Sequence, residues 1–277
     1  MSLTTSDFDY IRDVVRRQSA IVLEPGKEYL VESRLVPLAR KEGEQSIATL
    51  VTRMRADTTG ALAGRVVDAM TTNETSFFRD NHPFEAMHKH VLPQLVRART
   101  AERRLSIWCG ASSSGQEPYT LTMLLKDVLT THPGWQASLL ATDISQEMLD
   151  RTRAGVYTQL EVNRGLPVAM LVRHFDKVGT QWQVKPDLRA MVTTRLLNLA
   201  LPFPPIGTFD VVFLRNVLIY FDAATKRAVL QRVRQVLRPD GYLFLGGAET
   251  TLGIDDAFDR VVLDRATAYR LRTSTRP

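Results

Sequence analysis

A loop of small residues, an acid one strand–helix unit later and a carboxylate at a helix start together have the makings of a ligand site. The stretch IWCGASSSGQEP, 107–118, runs from apolar residues into glycine, alanine and serine and then into a helix-like segment. A strand that empties into small residues before a helix lets the backbone approach a ligand closely, and the helix N-terminus turns free N–H groups toward an anion. Gly110 and Gly115 do not fit G-x-G-x-x-G, and no G-x-x-x-x-G-K-[ST] is present, so neither a dinucleotide fingerprint nor a P-loop is written here. On spacing alone an ordinary βα connection reads as well. Asp143 closes the apolar run SLLAT, where an acid at a strand end can accept from ribose hydroxyls. Nicotinamide dinucleotides and S-adenosylmethionine both suit that arrangement. The second suits it better, because it carries no phosphates, and its sulfonium and ammonium would find a carboxylate partner in Glu117.

These residues need a sheet to hold them. From about residue 100 the pattern alternates, with strands expected near 105–109, 138–142, 191–197, 209–214 and 242–246 and helices near 117–129, 146–154 and 223–237. Such alternation predicts a doubly wound, largely parallel sheet with right-handed crossovers. The end, DRVVLDRATAYRLRT, predicts an antiparallel hairpin at one edge. Ahead of the sheet, residues 5–70 read as three or four short helices: Phe8, Ile11 and Val15 share one face, a second helix spans 27–42 around Pro37, and Ser46 caps a third. One amphipathic helix carrying Phe84, Val91, Leu92 and Leu95 follows the polar segment TTNETSFFRDNHP, 71–83.

Composition sets the class. The chain has 277 residues, 44% hydrophobic and 24% charged, ordinary for a globular protein with a substantial core. No run approaches a membrane span, and the acids of MSLTTSDFDY are unlike a signal peptide, so a cytoplasmic location is expected. The single cysteine, Cys109, excludes an intramolecular disulfide, and the five histidines show no ligand spacing, so no metal is expected. The net charge of +6 arises from 151–277, which carries 19 basic and 11 acidic side chains against 10 and 10 in 1–70 and 7 and 9 in 71–150. That excess permits an acidic partner without naming one.

Four motifs in order, TTNETSFFRD at 71–80, GASSSGQEPYT at 110–120, ATDIS at 141–145 and FLRNVLIYFD at 213–222, resemble those of the chemotaxis receptor methyltransferases, the CheR family. The similarity covers essentially the whole chain. The first and fourth motifs are distinctive, whereas many methyltransferases share the middle pair in looser form. The resemblance implies an α/β fold: a Rossmann-like S-adenosylmethionine-dependent methyltransferase sheet with a terminal antiparallel hairpin and a small β-subdomain, preceded by a small all-α domain. It implies boundaries too, with 1–71 for receptor recognition, 72–90 as a linker carrying part of the active site, and 91–277 as the methyltransferase domain with its β-subdomain at about 173–195. The implied activity is protein-glutamate O-methylation, with S-adenosylhomocysteine as the spent cofactor and the chemoreceptor cytoplasmic helical bundle as partner. Neither nucleic acid nor membrane insertion is implied, and the chain is read as a monomer.

Position by position, the resemblance implies that Asn73, Thr75 and Arg79 lie at the cofactor and acceptor. It places Gly110 in the cofactor loop, Glu117 near the methionine portion, Asp143 on the ribose, Asn198 and Leu199 beside the adenine, and Arg215 and Asn216 at the end of the fourth strand. Catalytic work falls to Arg79 and to Tyr220, which would face the methyl. Gln116, where many relatives carry an acid, and the Pro-rich NLALPFP after residue 197 depart from the pattern. The residue types suit the reaction. A glutamate acceptor is already ionised at neutral pH, so no general base is required. Arg79 can hold one carboxylate oxygen and leave the other free, and Tyr220 offers a neutral donor. Lys27, Arg34, Arg40 and Lys41 are expected to dock an acidic receptor bundle. The short link between Phe175 and Trp182, with Gly179 its one glycine, predicts independence from a receptor C-terminal pentapeptide, and Thr180–Val184 with Met191–Leu197 are expected to form the subdomain. Two alternatives are a nucleic-acid methyltransferase, motivated by the basic C-terminal part but lacking an Asn/Asp-Pro-Pro-aromatic run, and a non-catalytic S-adenosylmethionine-binding scaffold.

Overall fold

The computed structural model describes residues 3–272, so the last five residues of the expected 91–277 domain lie outside the described residues. The chain divides into two compact units, Met1–Thr72 with Tyr220–Lys226, and Asn73–Ile219 with Arg227–Pro277.

The described residues of the Met1–Thr72 part form four helices, α1 Thr5–Ser19, α2 Glu28–Lys41, α3 Ile47–Ala56 and α4 Ala61–Met70. Their starts follow local chemistry. Thr4 caps α1 by accepting from the Asp7 N–H, and Ser46 and Thr49 form a reciprocal capping box on α3. The apolar faces meet around Ile11, Val15, Val31, Leu35, Leu50 and Val66, none of them exposed. Arg34, expected on a docking face, instead donates from Nη1 to the Met70 and Thr71 carbonyls at 2.5 and 2.8 Å and from Nη2 to Thr72 Oγ1. Its guanidinium ties off the last turn of α4, whose carbonyls have no helical partner.

The second unit begins with α5 His82–Ala86 and α6 Leu92–Ala98, joined by a π-helical turn, Met87–Val91. One continuous helix was the expectation. Pro93 at the start of α6 lacks an N–H and crowds the preceding turn, and the ladder widens there so that the Leu92 N–H reaches back to Met87. Then come β1 Arg104–Gly110, α7 Gln116–Thr131, β2 Gln136–Asp143, α8 Gln146–Ala154, β3 Val156–Thr158, α9 Gln159–Asn163, α10 Val168–His174, β4 Phe175–Val178, β5 Gln181–Val184, α11 Pro186–Arg189, β6 Val192–Leu196 and β7 Phe209–Leu214. The chain closes with α12 Ala223–Val236, β8 Leu237–Leu245, β9 Phe258–Leu263 and β10 Ala266–Leu271.

The main sheet runs β6-β2-β1-β7-β8-β10-β9, parallel from β6 to β8 and antiparallel through the closing hairpin. Strand β7 is buried at all six positions, as a parallel strand covered on both faces must be. Strand order reverses between β1 and β7, the switch point at which open α/β sheets bind ligands. Register aligns the strand ends there: Gly110 pairs with both Thr142 and Leu214, and Leu214 with Leu245. At the opposite end Arg99 locks the sheet. Its Nε donates to Asp210 at 2.7 Å, Nη1 and Nη2 donate to Asp240 at 2.8 and 2.6 Å, and Asp210 also accepts from the Ser106 N–H.

The small sheet is built differently from the expectation. Its order is β3-β5-β4, all antiparallel, and 192–196 instead extends the main sheet beside β2, with Leu196 opposite Asp143. The run VTTRL is mostly polar with exposed alternate residues, as befits an edge strand, and nothing in its own pattern says which sheet it joins. Gly179 and Thr180 alone connect β4 to β5.

Candidate active site

The loop after β1 bends back onto β2. Ala111, Ser113 and Gly115 have φ of 53°, 50° and 98°. These left-handed turns bring the Ser112 N–H to the Thr142 carbonyl at 2.9 Å and the Ser113 N–H to Asp143 Oδ2 at 2.8 Å. The other Asp143 oxygen accepts from the Ser145 N–H at 2.9 Å. Burial pushes the Asp143 carboxyl above the usual aspartate range, and the N–H groups of Ser145, Ser113 and Ile144 oppose that shift. Gly110 sits in close quarters: a Cβ there would stand 2.9 Å from Leu214 Cδ1, which would have to shift.

The segment 71–83 is anchored at three points, the first of them on this loop. Ser113 Oγ donates to the Asn73 carbonyl at 2.8 Å, Glu74 pairs with Arg164, and Phe77 is wholly buried with edge contacts to Tyr157 and Phe175. Burying that ring contributes about 1.5–3 kcal/mol toward holding the segment down. Gly165 lets the Phe77 carbonyl pass, since a Cβ there would lie 2.1 Å from its oxygen. Phe78, Asp80 and Asn81 all have positive φ, at 49°, 65° and 45°. Between them Arg79 is partly exposed, and its Nη1 donates to the Glu74 carbonyl at 2.9 Å. Thr75 is half-buried on the same segment.

Arg215, at the exit of β7, is the hub beneath. Its side chain is 1% exposed, with Nη1 donating to Glu117 Oε2 at 2.5 Å and Nη2 to Asp80 Oδ2 at 2.7 Å and to the Arg79 carbonyl at 3.1 Å. The guanidinium also lies over the Phe84 ring at 5.4 Å. Glu117, expected to face a cationic group of a ligand, thus faces a guanidinium of the chain itself. Its other oxygen accepts from Cys109, whose thiol is pushed well up by burial and by this carboxylate.

Asn216 follows with φ 58°, and here a residue that sequence reasoning missed takes over. Glu249 Oε2 accepts from the Gly246 and Asn216 N–H groups at 2.6 and 2.8 Å, and Oε1 from Val217 and Ile219 at 2.8 and 3.3 Å. One carboxylate therefore ties the exit of β7 to the exit of β8. The readable signal was an acid four residues past the end of β8, close to the logic that singles out Asp143 at the end of β2. Leu199 is buried, and its carbonyl and that of Ala200 accept from Arg232 at 2.7 and 3.2 Å, which braces the Pro-rich stretch after β6. Asn198 begins that stretch and accepts from the Ala200 N–H at 2.9 Å. Tyr220 groups with the helical unit, where its carbonyl accepts from Val22 at 2.9 Å.

The order of these motifs along a switch-point sheet is that of a known family. A family model described as the SAM binding domain of CheR methyltransferase matches residues 73–267, and one described as its all-alpha domain matches residues 6–71. The chain belongs to the CheR methyltransferase family. It is similar to chemotaxis protein methyltransferase 1 of Pseudomonas aeruginosa, 43% identical over 98% of this chain and 100% of that protein. It is similar as well to a chemotaxis protein methyltransferase of Pseudomonas putida, 40% identical with the same coverage. A third relative, from Vibrio cholerae, is 39% identical over 98% of this chain and 99% of its own length. The enzyme is an S-adenosylmethionine-dependent methyltransferase, and its two-part α and α/β architecture is the fold class that the motifs implied.

The residues present suit that cofactor. Ser112 Oγ is buried without a hydrogen-bond partner among the described residues, and the first turn of α7 has no side-chain cap. Both can take a carboxylate such as that of the methionine portion. Asp143, at the end of β2, has acceptor capacity left beside its bonds from backbone N–H groups. No helix among the described residues is long and apolar enough to cross a membrane.

Proposed function

We propose that this methyltransferase esterifies glutamate side chains in the cytoplasmic helical bundle of chemoreceptors, forming γ-glutamyl methyl esters. The membership in the CheR family over nearly the full chain carries the reading. When bound, S-adenosylmethionine supplies an electrophilic methyl group on a cationic sulfur. The loop 110–116, Asp143, Asn198 and Leu199 would hold it, with Asn73, Thr75 and the Asn216 backbone closing the site. Arg79 orients the acceptor through one carboxylate oxygen and leaves the other to form the new C–O bond as the C–S bond breaks. The acceptor is already ionised, so no side chain has to take a proton. Tyr220, a neutral donor, lines the methyl path without quenching that charge. Glu117, paired with Arg215, stays near the methionine portion of the cofactor.

Residues 1–71 recognise the receptor, with Lys27, Arg40 and Lys41 as the basic contacts, Arg34 being engaged within its own unit. The segment 72–90 presents Arg79, and 91–277 is the methyltransferase domain. The enzyme acts as a cytoplasmic monomer without nucleic acid and without a tether to the receptor C-terminus. The two-residue β4–β5 turn supports the last point, since it leaves no glycine-rich length to bend aside for a peptide. Labelled S-adenosylmethionine with receptor fragments tests the reading. Label released as methanol in mild alkali is expected, whereas alkali-stable label or transfer to RNA alone would refute it. Saturable binding of receptor C-terminal pentapeptides in calorimetry would refute tether independence.

A further inference from the structure

We infer that Arg215 and Asp80 are positioning residues for the methyl-transfer step, acting through Arg79; this rests on the reading of Arg79 as the group that orients the acceptor. Three of the four residues 78–81 adopt left-handed backbone: Phe78, Asp80 and Asn81. Left-handed non-glycine residues are strained and persist where surrounding contacts over-determine them. The Arg79 side chain itself supplies little of that determination, because it is partly exposed and its hydrogen bond among the described residues stays within its own segment, to the Glu74 carbonyl.

The determination comes from below. One nitrogen of Arg215, Nη2, donates to the Arg79 carbonyl and to the Asp80 carboxylate, so it grips the two residues whose peptide sets the direction of the Arg79 side chain. The other terminal nitrogen is held by Glu117 in the first turn of α7, and the guanidinium rests on Phe84. Arg215 is thereby fixed by α7 and Phe84 on one side and transmits that fixity to residues 79 and 80 on the other. The two carboxylates differ in burial: the Asp80 side chain is 56% exposed, that of Glu117 12%. Glu117 is thus the buried counter-charge that Arg215 needs, and Asp80 can be altered without stranding an ion. An arginine at this point is not replaceable by lysine, because three acceptors in two directions call for the planar fork.

The experiment is a double-mutant cycle in the full-length enzyme, with Asp80→Asn, Arg79→Ala and the pair, measured as methyl transfer to receptor fragments and as S-adenosylhomocysteine affinity by calorimetry. Asp80→Asn is expected to lower kcat about 5–30-fold in the wild-type background, with acceptor KM and S-adenosylhomocysteine affinity changed less than about 2-fold. In the Arg79→Ala background the same change should cost less than about 2-fold, because the group being positioned is gone. Arg215→Lys should follow Asp80→Asn, with a larger loss. An equal kcat loss in both backgrounds, or a loss of cofactor affinity that matches the loss of kcat, would overturn the inference while leaving Arg79 in place. An Arg79→Ala enzyme with near wild-type kcat would instead overturn the role of Arg79, and this inference with it.

Discussion

Glu249→Gln tests whether one carboxylate frames the acceptor side of the site. Each Glu249 oxygen serves two N–H groups: Gly246 and Asn216 on Oε2, Val217 and Ile219 on Oε1, with three of the four distances at 2.6–2.8 Å. A glutamine keeps one carbonyl oxygen. Set at the Oε2 position it retains the Gly246 and Asn216 bonds and turns its NH2 against the Val217 and Ile219 donors, so one good bond and one long one are lost. A hydrogen bond to a charged acceptor contributes about 1.5–3 kcal/mol, and the retained pair weakens as the charge disappears. Partial exposure of the site lets water answer the freed donors, which places the expected loss at about 2–3 kcal/mol. For a unit of this size that is roughly 4–12 °C in the midpoint of its thermal transition. No side-chain flip avoids the loss, and a Cβ at Gly246, only 2.8 Å from Glu249 Oε2, shows how little room the loop has to rearrange. Calorimetric unfolding together with S-adenosylhomocysteine titration measures both effects. A transition within 1 °C of wild type, on the order of the smallest resolvable shift, with unchanged affinity would refute the bracing role.

Asp143→Asn is expected to weaken S-adenosylhomocysteine binding by about 10-fold or more, since ribose hydroxyls lose a charged acceptor; affinity within about 2-fold of wild type would exclude that contact. Because the Asp143 carboxyl is raised by burial, wild-type affinity should decline on acidification at higher pH than an ordinary aspartate would allow, and Asp143→Asn should abolish that dependence. Arg99→Met should cost about 3–5 kcal/mol in urea unfolding, because Asp210, 1% exposed, keeps only the Arg238 Nε at 3.5 Å as a charged partner, and a loss under about 1 kcal/mol would contradict this. In the helical unit the Asp57 carboxyl is held down at about 2 by the Thr59 hydroxyl and the Leu62 N–H ahead of α4. Its folded pKa lies below the unfolded one, so its contribution is complete above the ordinary value of about 3.9 and is lost as pH falls toward 2. Acid titration of the full chain should show wild type and Asp57→Asn converging across that window; a constant difference would refute it.

Local pattern was enough for most elements. The apolar runs at 107–109 and 209–214 and the amphipathic spacing of 146–154 depend on neighbours two to four positions apart, so strands and helices were legible there, and β7 and α8 fall where the spacing put them. The site's outline was legible for the same reason: a small-residue loop after one strand and an acid after the next must share an edge once the sheet is parallel, and Gly110 does pair with Thr142. Motif order carried the family. Partners across the fold were beyond any such reading. Arg215 meets Glu117 and Asp80 at separations of 98 and 135 positions, Glu249 reaches Asn216 across 33, and Arg34 finds Thr72 across 38. Periodicity tells which face a side chain occupies but not which distant charge or carbonyl shares it, and for that reason the Arg215 partner of Glu117 and the α4-end partners of Arg34 were not legible. The same blindness left 191–197 assigned to both the main sheet and the subdomain, because an edge strand with polar residues is decided by whichever neighbour has open hydrogen bonds, here β2. Sequence alone placed the chemistry at the ends of the strands; tertiary contacts decided which charges face the ligand and which hold each other, because an ion pair forms only where folding brings its two halves within a few ångströms.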